Sequence, residues 1–277
     1  MNIDALPYAV YLLLAELSVG SLVVLLFADA RGLVERSFVK YCAAQTAVIA
    51  ALTLPLGWWM ASDEIASGYP VRDAGLDGGW WLFLAFFAFA AIYTALTLGG
   101  RRRAALPAGA VGAACGLAAL SWLAYAFGAP VWSFPAMLAS AWLGGLATGG
   151  VTLAMVLGHW YLVTPRLSNR PLNELTLLAL GALVAQTALM ALNLAMPVDV
   201  ALDVTTVFGE GLAANPALWL RAGVGLALAG ACVGMAHLSS RESSMMSATG
   251  LLYIAMGAAL AGEVLARGVL FATGVPV

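Results

Sequence analysis

Charge is what this chain has least of: 9% of its 277 residues are charged, against 63% hydrophobic, and the mean hydropathy is +0.95. Ordinary soluble domains carry about 25% charged residues, so a water-exposed globule is excluded. The few charges nearly cancel, at a net −2, which removes any reason to expect a nucleic-acid partner. Cysteine is scarce too. Cys42, Cys115 and Cys232 each lie in an apolar run, without Cys-x-x-Cys spacing, and read as small buried hydrophobes. The chain is therefore expected to hold no iron–sulfur cluster or metal of its own. Histidine occurs only at His159 and His237, too few to build a Ser/His/Asp nucleophile set, and no phosphate-cradling glycine loop follows a strand. A self-contained hydrolase or kinase is therefore not expected.

What is present is a succession of apolar runs of about 20 residues, the length that crosses about 30 Å of hydrocarbon. Eight are read, at about 8–28, 40–60, 80–99, 106–127, 135–157, 173–196, 216–238 and 248–272. The first is expected to remain as a helix and not to be cleaved as a signal peptide, because Asn2 and Asp4 stand where a basic leader would be. The fold class expected is an all-α polytopic membrane protein of eight transmembrane helices.

Orientation follows from the basic residues, because short loops rich in Lys and Arg stay cytoplasmic. Arg31, Arg36 and Lys40 follow the first run, Arg101, Arg102 and Arg103 the third, Arg166 and Arg170 the fifth, and Arg241 the seventh. The other face carries Arg72, Arg221 and Arg267, with Asp63, Glu64, Asp73, Asp77, Asp199, Asp203 and Glu210 in two longer loops. Both termini are thus expected outside the cytoplasm, and those loops are the expected dock for a soluble partner.

The chain also repeats itself. Ala44-Gln45-Thr46-Ala47 in the second run matches Ala185-Gln186-Thr187-Ala188 in the sixth, each followed by an apolar stretch ending at a proline, Pro55 or Pro197. Leu17 to Ser21 parallels Leu146 to Gly150. Two four-helix units are expected, 1–130 and 131–277, in one membrane domain. Four is even, so the repeat is parallel, unlike the inverted repeats of many secondary transporters. Small residues such as Gly20, Gly145 and Gly149 allow close helix packing, and Gln45 and Gln186 are read as hydrogen-bonding glue between helices.

Ionisable side chains inside such runs are costly and therefore usually functional. Glu263 and Arg267 lie one helical turn apart in the last run, and Glu16 lies in the first. Both acids fall roughly 12–14 Å below the outer boundary at 1.5 Å per residue. Arg221 enters at a similar level from the seventh run. With Trp58, Trp59, Trp80, Trp81 and Trp219 near the rim, the set Glu16, Glu263, Arg267, Arg221 and Trp59 forms a candidate quinone-binding and proton-transfer region. The plainer reading is that Glu263 and Arg267 neutralise each other and the tryptophans form an interfacial belt. Asp29 reads as a solvated interfacial acid that could alternatively end a proton path. His159 and His237 lie at the inner ends of parallel helices, compatible with axial ligation of one haem b. Capping of helix C-termini explains them equally.

The last helix carries a family resemblance. Ala261-Gly262-Glu263-Val264-Leu265-Ala266-Arg267-Gly268-Val269-Leu270-Phe271 resembles the closing segment of membrane anchor subunits of the dimethyl-sulfoxide-reductase type, within the NrfD-like and polysulfide-reductase-like group. Trp219-Leu220-Arg221 resembles that family's entry to its penultimate helix, and Tyr11 to Gly20 its opening helix. The resemblance implies a quinone-interacting subunit of the prokaryotic cytoplasmic membrane, non-catalytic alone, exchanging electrons between menaquinone or ubiquinone and an iron–sulfur subunit. That partner would serve a molybdenum- or tungsten-pterin catalytic subunit. The alternatives are a proton-coupled transporter or channel using the same acids, and a single-haem anchor.

Overall fold

The computed structural model describes residues 6–62, 71–128, 134–164, 168–195 and 212–277. The expected ends at Asn2, Asp4, Asp63, Glu64, Arg166, Pro197, Asp199, Asp203 and Glu210 lie outside them. No strand occurs among the described residues, and eight helices are long and apolar enough to cross a membrane. They are α1 Leu6–Ala30, α2 Arg36–Ser62, α3 Asp73–Leu98, α4 Arg102–Ala126, α5 Phe134–Val163, α6 Arg170–Ala195, α7 Pro216–Arg241 and α8 Met245–Thr273.

Most helices run past the apolar spans expected from sequence, because backbone hydrogen bonding continues where the hydrocarbon stops. Arg36, Arg102 and Arg170 are each the first residue of a helix, not part of the loop before it. α7 starts at an Asn215 cap, whose side chain accepts from Ala217 N–H, with Pro216 in the first turn, where its missing N–H costs nothing. α8 ends at Gly274, whose φ of 73° suits a residue without Cβ.

α1 packs on α2 and α4, α2 on α3, and α3 on α4, closing one group of four. α5 packs on α6 and α8, α6 on α7, and α7 on α8, closing a second. The two groups meet along α1 and α5, flanked by α4 against α5 and α8 against α1. These two helices form the centre: the most apolar windows of α1 and α5 are 67% and 72% buried, against 28–39% for α2, α3, α4, α6 and α7.

Glycine sets how close they come. A Cβ on Gly20 would overlap the Gly145 carbonyl, and one on Gly149 would overlap the Gly20 and Ser21 backbone. α7 and α8 approach in the same way, Gly225 against Gly262. Without a hydrophobic driving force between helices in lipid, such van der Waals contact is a main source of association.

At the arginine-rich end Asp29 is fully buried, which overturns its reading as a solvated acid. Arg36 pairs with Oδ1, Arg102 Nε lies 3.2 Å from the same oxygen, and the Tyr93 hydroxyl donates to Oδ2 at 2.9 Å. Arg36 and Arg102 sit at helix N-termini, where the backbone dipole disfavours a cation, and Asp29 offsets both that and its own desolvation. Glu174 joins the two groups at this end, 3.3 Å from Arg31 and 2.8 Å from Arg170.

Candidate functional site: a buried ionic cluster

The close approach of α1 to α5 brings Glu16 against the α5 backbone at Gly144 and Gly145. The approach of α7 to α8 brings Arg221 to Glu263. Four charged side chains from three helices thereby meet inside the protein. Glu16, Glu263, Arg221 and Arg267 are each no more than 2% exposed. Two acids and two guanidinium groups make the cluster formally neutral, the condition under which buried charge is tolerated.

Arg267 Nη2 lies 2.6 Å from Glu263 Oε1 and 2.7 Å from Glu16 Oε1, so one nitrogen bridges two carboxylates on different helices. Its guanidinium also donates to the Ser140 hydroxyl at 3.2 Å and the Ser140 carbonyl at 3.3 Å. Arg221 Nη2 stands 3.3 Å from Glu263 Oε2, and Gln186 Nε2 donates to that oxygen at 3.1 Å. Gly144 makes the room: a Cβ there would lie 2.8 Å from Glu263 Oε1 and 3.0 Å from Arg267 Nη2.

Arg221 begins a π-helical stretch, Arg221–Leu228, set between the α-helical segments Pro216–Leu220 and Ala229–Arg241 of α7. Such widened turns recur at functional sites because they redirect a side chain without breaking the helix. Here the wide turn contains Gly225, the contact with Gly262, and starts at the guanidinium that reaches Glu263.

The cluster is not fully satisfied. Both Glu16 carboxylate oxygens, Gln186 Oε1, Arg221 Nε and Arg267 Nε are buried without a hydrogen-bond partner among the described residues. Glu16 Oε1 is nonetheless paired with Arg267 at 2.7 Å, so Oε2 is the oxygen of that carboxylate left without any contact. Unpaired polar atoms cost free energy in a low-dielectric interior, and here they are concentrated on the members of one ionic cluster.

Towards the N-terminal end of α1 the cluster is covered by Tyr8, Phe127 and Phe271, whose ring centroids lie 5.4–6.0 Å apart. Phe271 sits one turn beyond Arg267, and Tyr8 two turns before Glu16. All three are buried.

Four of the five residues singled out from sequence thus come together, and Glu263 with Arg267 does form the mutually neutralising pair of the plainer reading. The fifth, Trp59, is 49% exposed, and Trp58, Trp81 and Trp219 are 62–65% exposed, on the outside of the helix bundle. Trp80 lies inward of these, its indole N–H donating to the Leu54 carbonyl at 3.3 Å. His159 is exposed and shares a hydrogen bond with the Tyr253 hydroxyl across α5 and α8 at 3.1 Å. His237 faces a different seam, where Nδ1 is 3.0 Å from Thr176 Oγ1 between α7 and α6.

Sequence reasoning missed Ser140, read Gly144 only as one of the small residues that let helices approach, and assigned Gln186 to helix glue. Gln186 does join α6 to α8, and it does so on the carboxylate of Glu263. Its counterpart Gln45 keeps Oε1 without a partner. No group of three or more metal-ligating side chains occurs among the described residues, and all three cysteines are free. Compared with protein-family models, curated proteins and solved structures, the chain matches none.

Proposed function

We propose that this chain is the membrane anchor and quinone-reacting subunit of a multi-subunit oxidoreductase, exchanging electrons with an iron–sulfur subunit that serves a molybdenum- or tungsten-pterin enzyme. One observation carries the proposal: a fully buried, charge-neutral cluster retains unpaired acid oxygens and guanidinium N–H groups. Those atoms fit a quinone head, which needs donors for its carbonyl oxygens and acceptors for the hydroxyls of its reduced form. The resemblance of the Ala261 to Phe271 segment and of Trp219 to Arg221 to NrfD-like anchors supports the same reading.

A quinone supplies two-electron, two-proton chemistry when bound. The chain's part is to bind, orient and exchange protons. Arg221 and Arg267 donate from N–H groups that the carboxylates leave free, Gln186 fixes the orientation of Glu263, and the acids hold protons. Tyr8, Phe127 and Phe271 exclude water, which strengthens every charge interaction beneath them. The two helix groups make equivalent neighbour contacts, which supports two parallel four-helix repeats. With the arginine-rich end cytoplasmic, both termini lie outside, the cluster is nearer the outer face, and the membrane is a prokaryotic cytoplasmic one.

The test is quinol-analogue turnover by the purified complex. Arg267→Lys keeps the charge and loses the planar fork, and is expected to lower turnover at least tenfold while artificial-dye reduction by the partner subunits is unchanged. Undiminished quinol turnover in that variant overturns the assignment. A proton-coupled transporter is the second reading, favoured by the position of the cluster between the two helix groups; it requires activity of this chain alone in vesicles, without a redox partner.

A further inference from the structure

The two acids of the cluster are not equivalent. Glu263 has three partners: it accepts hydrogen bonds from Arg267 on Oε1 at 2.6 Å and from Gln186 on Oε2 at 3.1 Å, and its Oε2 is ion-paired with Arg221 at 3.3 Å. Glu16 has a single partner among the described residues, Arg267, 2.7 Å from Oε1, and its Oε2 has none. Neutralising Glu263 would strand Arg221 and forfeit three interactions. Neutralising Glu16 forfeits one, and Arg267 stays paired with Glu263 and Ser140.

We propose that Glu16 is the carboxyl that gains and loses a proton, that Glu263 is a permanently ionised counter-anion, and that Arg267 Nη2 is the switch between them. The charged groups acting on Glu16 are Arg267 and Glu263 from α8 and Arg221 from α7. α5 presents Gly144, α6 contributes Gln186 through Glu263, and no ionisable side chain of α2 or α4 acts on it among the described residues.

The identity of the proton's recipient rests on the quinone reading; the exchange itself does not. When quinone is reduced, each of the two electrons comes from the iron–sulfur partner. Glu16 gives a proton from its carboxyl O–H to a quinone oxygen, and the carboxylate formed is held by Arg267 Nη2. A proton from the aqueous phase restores the acid. Two such cycles give the quinol, and quinol oxidation runs the transfers backwards.

Infrared difference spectra of the detergent-purified full chain, recorded across a pH step, read the carbonyl stretch of a protonated carboxyl without any quinone present. The expected result is a pH-dependent carboxyl band that disappears in Glu16→Gln and shifts in frequency in Glu16→Asp, which preserves the acid if the glutamine variant folds poorly. A band that persists in Glu16→Gln, or that fails to shift in Glu16→Asp, overturns the proposal, as does a wild-type protein with no such band. In the complex, Glu16→Gln is expected to lower kcat for quinol about 100-fold or more with KM little changed, the range for loss of a general acid or base. Loss of the band with undiminished quinol turnover would leave the exchange standing and remove the quinone.

Discussion

A carboxylate in a bilayer-spanning bundle is kept ionised by its donors, and their number sets what its loss costs. Glu263→Gln leaves Arg221 and Arg267 facing one remaining acid in a site no more than 2% exposed, and is expected to destabilise by about 3–5 kcal/mol. Asp29→Asn frees two arginines that are each 43% exposed and that water can resolvate, so the loss is expected to be about 1.5–3 kcal/mol. Denaturant unfolding in mixed micelles measures both, and equal losses would contradict the argument. The charged members of the cluster were legible in the sequence, since an ionised group in an apolar run is conspicuous. Ser140 and the roles of Gly144 and Gln186 were not, because a hydroxyl, a glycine or an amide in a membrane helix is common and gives no sign of which side chain it meets.

At the scale of the helix, the glycines divide into those that set an approach and those that do not. Gly149 and Gly262 have a neighbouring backbone where a Cβ would go, whereas Gly234 and Gly250 have nothing within 4 Å. Gly149→Ala and Gly262→Ala are expected to lower the unfolding temperature and, by moving α5 or α8, to disturb the cluster. Gly234→Ala and Gly250→Ala are expected to be neutral or to stabilise by up to about 1 kcal/mol through helix propensity. Thermal unfolding of the four variants checks this contrast. All these glycines look alike in sequence. Only the packing of α1 on α5 and of α7 on α8 separates them.

At the scale of the molecule, the cluster belongs to both helix groups: Glu16 comes from the first, and the other members come from α5, α6, α7 and α8 of the second. Fragments 1–130 and 131–277, co-expressed, are therefore expected to copurify, with Glu16 completing the neutralisation of Arg267. Glu16→Leu in the first fragment is expected to weaken their association, read as the yield of the untagged half. An unchanged yield would show that α1–α5 packing alone holds the halves together.

The sequence by itself determined that the chain has eight helices long and apolar enough to cross a membrane and which four charged residues make up the buried cluster, because hydrophobic length and the cost of buried charge act locally along the chain. It did not determine that Asp29 is clamped, since Arg36, Tyr93 and Arg102 reach it from three other helices. Nor did it determine which acid is held fast and which has a single contact. That asymmetry depends on distances of an ångström or less between helices far apart in the chain, and only their mutual packing sets those distances.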